Sequence, residues 1–350
     1  MHGNEQRTGR AYLGSFTSRG GRGITTAAVD PGTGALRVLH HTDALPDPTF
    51  LGMDTGGAVL HAVSETADGR AAAFSLAGPD GPVLLRPAVP VEGAGPTHLA
   101  VTGHRLYTAQ YTSGSISALA LGPDRAPVGS PVVHAHRGSG PVAGRQDGPH
   151  AHAVVPSPDG AWLLATDLGT DSVRVYALDA ADGTPRPHAE VRLRPGSGPR
   201  HLAFHPGGRA VHVLNELEPT LTRCRWEPAD GTLTPLEDTP VLPPDTSGDH
   251  YPSGLVVTAN GRRAYAAIRG HDSIAVLSLD PADGRAGLRT HVPCGGVWPR
   301  ALALGAAERH LYVANERSGD VTWFDLSAPG GVPRPAGTLR APAVSCVVLR

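Results

Sequence analysis

A repeat of about 50 residues is the feature that most limits how this chain can fold. A proline opens an apolar run seven times at intervals of 43 to 53 residues, and the seven prolines are Pro48, Pro96, Pro149, Pro199, Pro252, Pro299 and Pro342. In six units a second apolar run follows, such as AVHVLNE at 210–216, and then a third, such as DSVRVYALD at 171–179. The runs are short, rich in Val, Leu, Ala and Tyr, and bounded by turn residues, which indicates antiparallel strands and not helices.

Turn sequences recur after the third run of several units. They combine Asp or Glu with a late Gly, and they are DPGTG at 30–34, DAADG at 179–183, EPADG at 227–231 and DPADG at 280–284. This composition favours tight hairpins over calcium loops, so a fourth strand is expected to follow each turn. Four antiparallel strands in a unit of this period are typical of a propeller blade.

The two ends of the chain are predicted to complete a seventh blade together. APAVSCVVLR at 341–350 matches only the first strand of a unit, and the segments that can supply the other strands are AYLGSFT at 11–17, GITTAAVD at 23–30 and ALRVLHH at 35–41. Such a composite blade closes the ring and leaves no open sheet edge. The predicted fold is therefore all-β, a single seven-bladed β-propeller domain of four-stranded antiparallel blades spanning residues 1–350. Residues 1–10 are predicted to be a flexible N-terminal extension.

Composition excludes several classes of function. The formal charge is only −2 and the basic residues are scattered, so the chain lacks the clustered positive field that nucleic acid requires. All 30 basic residues are arginines, which excludes a Schiff-base lysine and a P-loop. No GxSxG or HExxH motif occurs, and Cys224, Cys294 and Cys346 are too widely spaced to indicate a zinc motif or a disulfide framework.

The chain also lacks sequence features of a secreted or membrane protein. Its start, MHGNEQRTGR, contains no apolar signal core, and no apolar run approaches the length of a membrane-spanning helix. We therefore expect a cytoplasmic protein without a membrane partner, a monomer or at most a weak dimer. No cofactor or metal is expected.

The repeat predicts where polar side chains gather. Because successive strands run in opposite directions, the start of the first strand and the end of the second lie on the same face of the ring. At the start of the first strand, six units carry Thr49, Thr97, His152, Arg200, Ser253 and Arg300. At the end of the second strand, they carry Glu65, Gln110, Asp167, Glu216, Arg269 and Glu316. These residues are predicted to surround one mouth of the central channel.

The residue types at this mouth suit a small acidic substrate. Guanidinium groups bind carboxylates and phosphates through two donors, so Arg200, Arg269 and Arg300 are expected to hold the anion. Glu216 and His152 are the candidate base and acid, and nearby arginines should lower the pKa of Glu216, which favours a base or water-orienting role. The predicted catalytic residues are His152, Glu216, Arg200 and Arg269, and the predicted substrate-binding residues are Arg300, His150, His201, Asp167, Glu316 and Gln110.

Segment 137–148, RGSGPVAGRQDG, is rich in glycine and lies just before the third unit. Glycine-rich backbone can cradle an anion, but no strand-to-helix context supports a phosphate loop here. A flexible lid over the mouth is therefore the preferred interpretation.

Several motifs together carry a family resemblance. They are GPHAH at 148–152, GPRHLAFHP at 198–206, LNELEPTL at 214–221, RGHDSIAVLSLD at 269–280, WPRALAL at 298–304 and LYVANERSGDV at 311–321. Over nearly the whole chain they resemble the lactonase family of seven-bladed propellers, which includes one type of 6-phosphogluconolactonase and the fungal carboxy-cis,cis-muconate lactonizing enzyme. The resemblance implies an active site made of His152, Arg200, Glu216 and Arg269.

The chain departs from the family pattern in its fifth unit. Ser253 and Gly254 stand where many relatives have a glutamate, and IRG at 268–270 replaces the usual NRG. The resemblance therefore implies the fold and the chemistry more firmly than it implies the substrate.

Two reactions and one non-enzymatic role fit these residues. The preferred prediction is metal-independent hydrolysis of a lactone with an acidic group, as in a 6-phosphogluconolactonase, in which Glu216 or His152 deprotonates water and the arginines stabilise the oxyanion. The reverse reaction, lactonising cyclisation of a muconate-type or biosynthetic substrate, needs the same residues. A non-catalytic propeller that binds a protein partner is the third possibility, although four Trp and five Phe are few for such a face.

Overall fold

The computed structural model describes residues 9–78 and 81–350, which form seven antiparallel sheets. The first strands of neighbouring sheets contact each other in a closed cycle, so the sheets are the blades of a ring. Helical structure in these two ranges is limited to single 3₁₀ turns at Thr17–Arg19, Leu168–Thr170, Ala306–Glu308 and Pro329–Gly331. The prediction of an all-β, seven-bladed propeller is confirmed.

The closing blade joins the two ends of the chain, as predicted. It contains β1 (Gly9–Ser15), β2 (Ile24–Val29), β3 (Leu36–Thr42) and the last strand of the chain, β29 (Val344–Leu349). β29 is the innermost strand and pairs antiparallel with β1, with Cys346 opposite Gly14. β1 already includes Gly9 and Arg10 of the predicted N-terminal extension, and residues 1–8 lie outside the described residues.

The other six blades are continuous in sequence. Blade 1 contains β4 (Pro48–Met53), β5 (Val59–Ser64), β6 (Arg70–Ser75) and two short strands that both pair with β6, β7 (Val83–Leu84) and β8 (Val89–Pro90). Blade 2 contains β9 (Pro96–Val101), β10 (Arg105–Gln110), β11 (Ser115–Leu121) and β12 (Pro127–Ala135). Blade 3 contains β13 (Ala151–Pro156), β14 (Trp162–Asp167), β15 (Ser172–Leu178) and β16 (Pro185–Arg192).

Blades 4 to 6 have the same order of strands. Blade 4 contains β17 (Pro199–Phe204), β18 (Ala210–Asn215), β19 (Thr220–Glu227) and β20 (Thr232–Pro240). Blade 5 contains β21 (Tyr251–Val257), β22 (Arg263–Arg269), β23 (Ser273–Leu279) and β24 (Ala286–Pro293). Blade 6 contains β25 (Pro299–Leu304), β26 (His310–Asn315), β27 (Asp320–Asp325) and β28 (Arg334–Arg340).

The hydrophobic core lies between neighbouring blades. Val175 of blade 3 and Trp226 of blade 4, for example, share one buried cluster. Packing is tight where the closing blade meets blade 1, because a Cβ atom on Gly14 would overlap the Pro48 carbonyl oxygen and lie 2.7 Å from Cys346 Sγ. Since the apolar faces are buried between blades, the polar side chains are left at the strand ends that face the channel.

Candidate active site

Each of the six continuous blades has a β-bulge at the start of its first strand. In blade 4, Pro199 lies opposite Asn215 and His201 opposite Leu214, so Arg200 is the extra residue. The bulges of the other blades contain Thr49, Thr97, His152, Arg300 and, in blade 5, Ser253 with Gly254. A bulge bends the strand and redirects its side chain. The bulges therefore explain how the predicted first-strand residues are turned towards the channel mouth.

The register of the second strand decides which of its residues reach the mouth. Glu216 follows Asn215, the last residue of β18 to pair with β17. Glu65 and Glu316 occupy the same position in blades 1 and 6, and Arg269 occupies it in blade 5, after the residue that pairs with the proline. These four predicted residues therefore stand at equivalent places on one face.

Gln110 and Asp167 do not reach this cluster. Both pair directly with the first strand of their blade, one residue before the position of Glu216, and both are fully buried. The Gln110 amide donates to Thr108 Oγ1 at 2.5 Å. Asp167 accepts from His136 Nδ1 at 2.6 Å and from the His150 amide at 2.8 Å. The structure thus gives both side chains partners inside their own part of the ring and not in the substrate-binding cluster where they were predicted.

Glu216 is the centre of a charged cluster at the mouth. Its Oε2 atom lies 3.1 Å from Arg200 Nε and 2.6 Å from Arg269 Nη2. Its Oε1 atom lies 2.5 Å from Arg145 Nη2. Burial alone raises the pKa of Glu216, but Arg269, Arg200 and Arg145 together lower it to about 2. Three of the four predicted catalytic residues are therefore in direct contact, and the carboxylate among them is ionised at neutral pH.

Arg145 is a member of the site that the sequence prediction missed. It lies in segment 137–148, outside the repeat, and crosses from the edge of blade 3 to blade 4. The segment is fixed at Gln146, whose amide donates to the Leu168 carbonyl at 2.8 Å and to Asp171 Oδ1 at 2.6 Å. The only available signal was an arginine three residues before the GPHAH motif. Whether the segment moves as a lid remains a prediction.

Arg300 forms a second charged cluster at the same mouth. Its Nη2 atom lies 3.2 Å from Glu65 Oε2, and its Nη1 atom lies 3.1 Å from Glu316 Oε2. Arg19 of the closing blade lies 2.6 Å from Glu316 Oε1, and Thr49 donates to Glu65 at 2.6 Å. The predicted residues Arg300 and Glu316 are thus at the mouth, but they are paired with oppositely charged neighbours.

Three imidazoles pack together beside Arg200. The ring of His201 lies 5.5 Å from that of His152 and 5.4 Å from that of His98, and its Nε2 atom is 3.1 Å from Arg200 Nη1. His152 Nδ1 is buried and has no hydrogen-bond partner in the described part of the chain. Burial and then the charge of Arg200 lower the pKa of His152 well below 6.5. His152 is therefore a neutral imidazole with a free ring nitrogen.

His150 lies next to this group and is held by Tyr111. The two rings stack with centroids 4.4 Å apart, and His150 Nδ1 is 2.8 Å from the Tyr111 carbonyl oxygen. The edge of Tyr111 also faces His152, at 5.6 Å. His150 was predicted to lie at the mouth, and it contacts the residues there through the ring of Tyr111.

The lowered pKa of His152 predicts acid-sensitive stability. In the unfolded chain the imidazole titrates near 6.5, whereas in the folded protein it titrates well below this value. The contribution of neutral His152 to the free energy of unfolding is therefore fully present above pH 6.5. It is lost as the pH falls, by at most about 1.4 kcal/mol per pH unit, because the unfolded chain binds the proton first.

Urea unfolding of the wild type and of His152→Ala at pH 7, 6 and 5 tests this linkage. The free energy of unfolding of the variant should fall less steeply below pH 6.5 than that of the wild type. Parallel curves for the two proteins would show that His152 is not desolvated in the folded state.

An aromatic rim flanks Arg269. Its guanidinium carbon lies 5.9 Å from the Tyr251 ring centroid and 5.5 Å from that of Trp298. Trp298 has a φ of 65°, which is unusual for a bulky residue, and its amide donates to Asp272 Oδ1 at 2.8 Å. Such a backbone conformation is maintained only where the surrounding structure imposes it.

Residues 9–78 and 81–350 contain no group of three or more His, Cys, Asp or Glu side chains arranged to hold a metal ion. The same residues include no helix with the length and apolar character needed to cross a membrane. Cys224, Cys294 and Cys346 are buried free thiols.

Comparison with known proteins identifies the family. The model of the family described as lactonase, 7-bladed beta-propeller, matches residues 10–349. The chain belongs to the lactonase family. This lactonase is 30% identical over 325 residues to the 6-phosphogluconolactonase of Bacillus subtilis strain 168, and the match covers 91% of this chain and 92% of that one. The predicted enzyme class is confirmed.

Two solved structures show how far the similarity extends. The periplasmic gluconolactonase of Pseudomonas aeruginosa is 26% identical, with a TM-score of 0.88 and coverage of 97% of this lactonase and 98% of that chain. A protein from Lactobacillus plantarum is 25% identical, with a TM-score of 0.91 and coverage of 98% and 99%. The family fold therefore extends over almost the whole of this lactonase.

The structure explains why the fifth blade of this lactonase has no acidic side chain in its bulge. A Cβ atom on Gly254 would lie 2.8 Å from the backbone nitrogen of Leu302 in blade 6, which is closer than real Cβ contacts. Ser253 is fully buried and donates to the Pro299 carbonyl at 2.6 Å. Blade 5 thus contributes Arg269 to the mouth, and its bulge serves to pack against blade 6.

Proposed function

We propose that this lactonase hydrolyses a lactone that carries an acidic group, without using a metal ion. The supporting observation is an imbalance of charge, since the guanidiniums of Arg145, Arg200 and Arg269 surround the single carboxylate of Glu216. The cluster at Arg300 is balanced, because it pairs two arginines with two glutamates. Buried positive charge needs a partner, so an anionic group of the substrate would complete the cluster around Glu216.

In this proposal His152 is the general base. Its imidazole is neutral, and the ring nitrogen that carries the lone pair can accept a proton from a water molecule at the mouth. The water oxygen attacks the lactone carbonyl carbon, and Arg200 and Arg269 stabilise the resulting oxyanion. The ring C–O bond then breaks as the leaving oxygen takes the proton from His152. A bound anion offsets the charge of Arg200, which raises the pKa of His152 and makes it a better base when substrate is present.

Glu216 has a different part in the proposed reaction. With a pKa of about 2 and ion pairs on both of its oxygens, it is a poor base. It holds the side chains of Arg200 and Arg269 in fixed positions before the substrate arrives, which is the preorganisation that stabilises a developing oxyanion. Of the two bases that the sequence left open, the proposal therefore assigns the proton transfer to His152.

The proposed substrate class is a sugar lactone with a phosphate or a carboxylate. The names of two relatives, a 6-phosphogluconolactonase and a gluconolactonase, support this class and a place in carbohydrate metabolism. Lactonising cyclisation of a muconate-type acid would use the same residues in reverse. The cytoplasmic location remains a prediction, because one relative is periplasmic.

A protein-binding role receives little support from the surface. The exposed large hydrophobic residues of the described chain are aliphatic and belong to different parts of the ring, and they are Leu39, Val83, Val132, Leu236 and Val297. Protein interfaces are usually centred on aromatic residues in one patch. The monomeric state and the absence of a nucleic-acid partner remain predictions.

Hydrolysis of a lactone panel tests the proposed function. We expect the purified protein to open 6-phosphogluconolactone, or a carboxylated lactone, faster than the neutral gluconolactone, as followed by acid release at constant pH. Preincubation with EDTA should leave the rate unchanged, because no step depends on a metal. Loss of activity after chelation, with recovery on addition of a divalent ion, would contradict the metal-independent reaction.

A further inference from the structure

The three arginines around Glu216 differ in how they are held. Arg200 and Arg269 come from strands, and their side chains are 3% and 9% exposed. Arg145 comes from segment 137–148, and its side chain is 33% exposed. Of the three guanidinium groups, that of Arg145 is therefore the first that a solute entering the mouth meets.

The segment fixes the backbone beside Arg145 while leaving its guanidinium at the solvent side. Gln146 is completely buried, donates to the Leu168 carbonyl and accepts from the Val142 amide at 3.0 Å. The Arg145 guanidinium instead lies over the Tyr251 ring, 5.5 Å from its centroid. A change in the Arg145 rotamer thus needs no movement of the anchored backbone.

Glu216 can lose Arg145 without becoming an unpaired buried charge. Arg145 contacts Oε1, whereas Arg200 and Arg269 share Oε2. Departure of Arg145 leaves two ion pairs in place and frees one carboxylate oxygen. Removal of Arg200 or Arg269 would instead break one of the buried ion pairs at Oε2.

We infer that Arg145 is the specificity-determining residue for the acidic group of the substrate, exchanging its ion pair with Glu216 for one with the incoming carboxylate or phosphate. This role rests on the proposed function and extends it, because it names the residue that distinguishes acidic from neutral lactones. In this structure Glu216 pairs with Arg145 where the substrate anion would bind. A neutral lactone offers no such exchange and gains nothing from Arg145.

The test compares Arg145→Gln with Arg137→Gln, which removes the same charge from an exposed position of the same segment. For Arg145→Gln, kcat/KM should fall roughly 10- to 100-fold on 6-phosphogluconolactone, mainly through KM, and change little on gluconolactone. Arg145→Lys should recover part of the loss, and Arg137→Gln should resemble the wild type on both. An equal loss on the two lactones, or no loss on either, would overturn the inference.

Calorimetric titration with inorganic phosphate provides a readout that does not depend on turnover. Arg145→Gln should bind phosphate more weakly than Arg137→Gln and the wild type, and unchanged binding would overturn the inference. If the wild type hydrolyses neither lactone, the proposed function fails and the phosphate titration alone decides the role of Arg145. Circular dichroism of each variant shows that it is folded before it is compared.

Discussion

Replacing His152 by alanine should lower kcat for an acidic lactone by about 100- to 10,000-fold, the usual contribution of a general base. The change removes the neutral imidazole that is the proposed base, and it leaves the arginines that bind the anion in place. KM should therefore stay near its wild-type value. Acid release at saturating substrate measures kcat directly.

The matched control for this change is His188→Ala. His188 is exposed on an outer strand, against Trp162, so its loss should not alter the rate. The pH dependence adds a second test, since the acid limb of kcat should disappear in His152→Ala if that limb reports protonation of the base. A His152→Ala enzyme with the full rate and an unchanged acid limb would show that another group deprotonates the water.

Changing Glu216 to glutamine should cost the folded protein about 3–5 kcal/mol. The substitution keeps the size of the side chain but removes the charge that pairs with Arg200 and Arg269, whose side chains are almost completely buried. Most of this loss of stability comes from leaving a buried arginine charge without a partner. Urea unfolding gives the free energy, with the slope of the transition checked against that of the wild type.

Inorganic phosphate should restore part of the stability lost in Glu216→Gln, because an anion that binds only the folded state stabilises it. The control is Glu190→Gln, since Glu190 also pairs with two arginines, Arg174 and Arg192, but is 31% exposed. That change should cost at most about 1 kcal/mol. Equal losses in the two variants, with no effect of phosphate on either, would mean that the buried cluster is not an unbalanced anion site.

The blades could be predicted from sequence because one local pattern is repeated seven times. Each unit carries its own turns and apolar runs, so an error in one unit is corrected by the others. Because successive strands run in opposite directions, Arg200, Glu216 and Arg269 could be placed on one face although the pairing register of the strands was unknown. The β-bulge could not be predicted, although it is what turns His152 and Arg200 towards the mouth.

The errors arise where the repeat is irregular. The hairpin from Pro96 to its partner Gln110 is two residues shorter than the hairpin from Pro199 to Asn215. In blade 3 the residue that pairs with Asp167 is Ala151, which lies two residues after the proline of its unit. A difference of one residue in register moves a side chain from the mouth to a position inside the blade, which is where both residues are found. Arg145 was missed for a related reason, since segment 137–148 has no counterpart in the other units with which it could be aligned.

The most direct test of the anion site is a crystal structure of His152→Ala with bound 6-phosphogluconate. The phosphate should lie within about 3 Å of the guanidiniums of Arg145 and Arg200, with the sugar extending towards the position of the missing imidazole. Phosphate bound instead in the cavity lined by Arg309 and Arg350, at the opposite end of the strands, would contradict the proposed site.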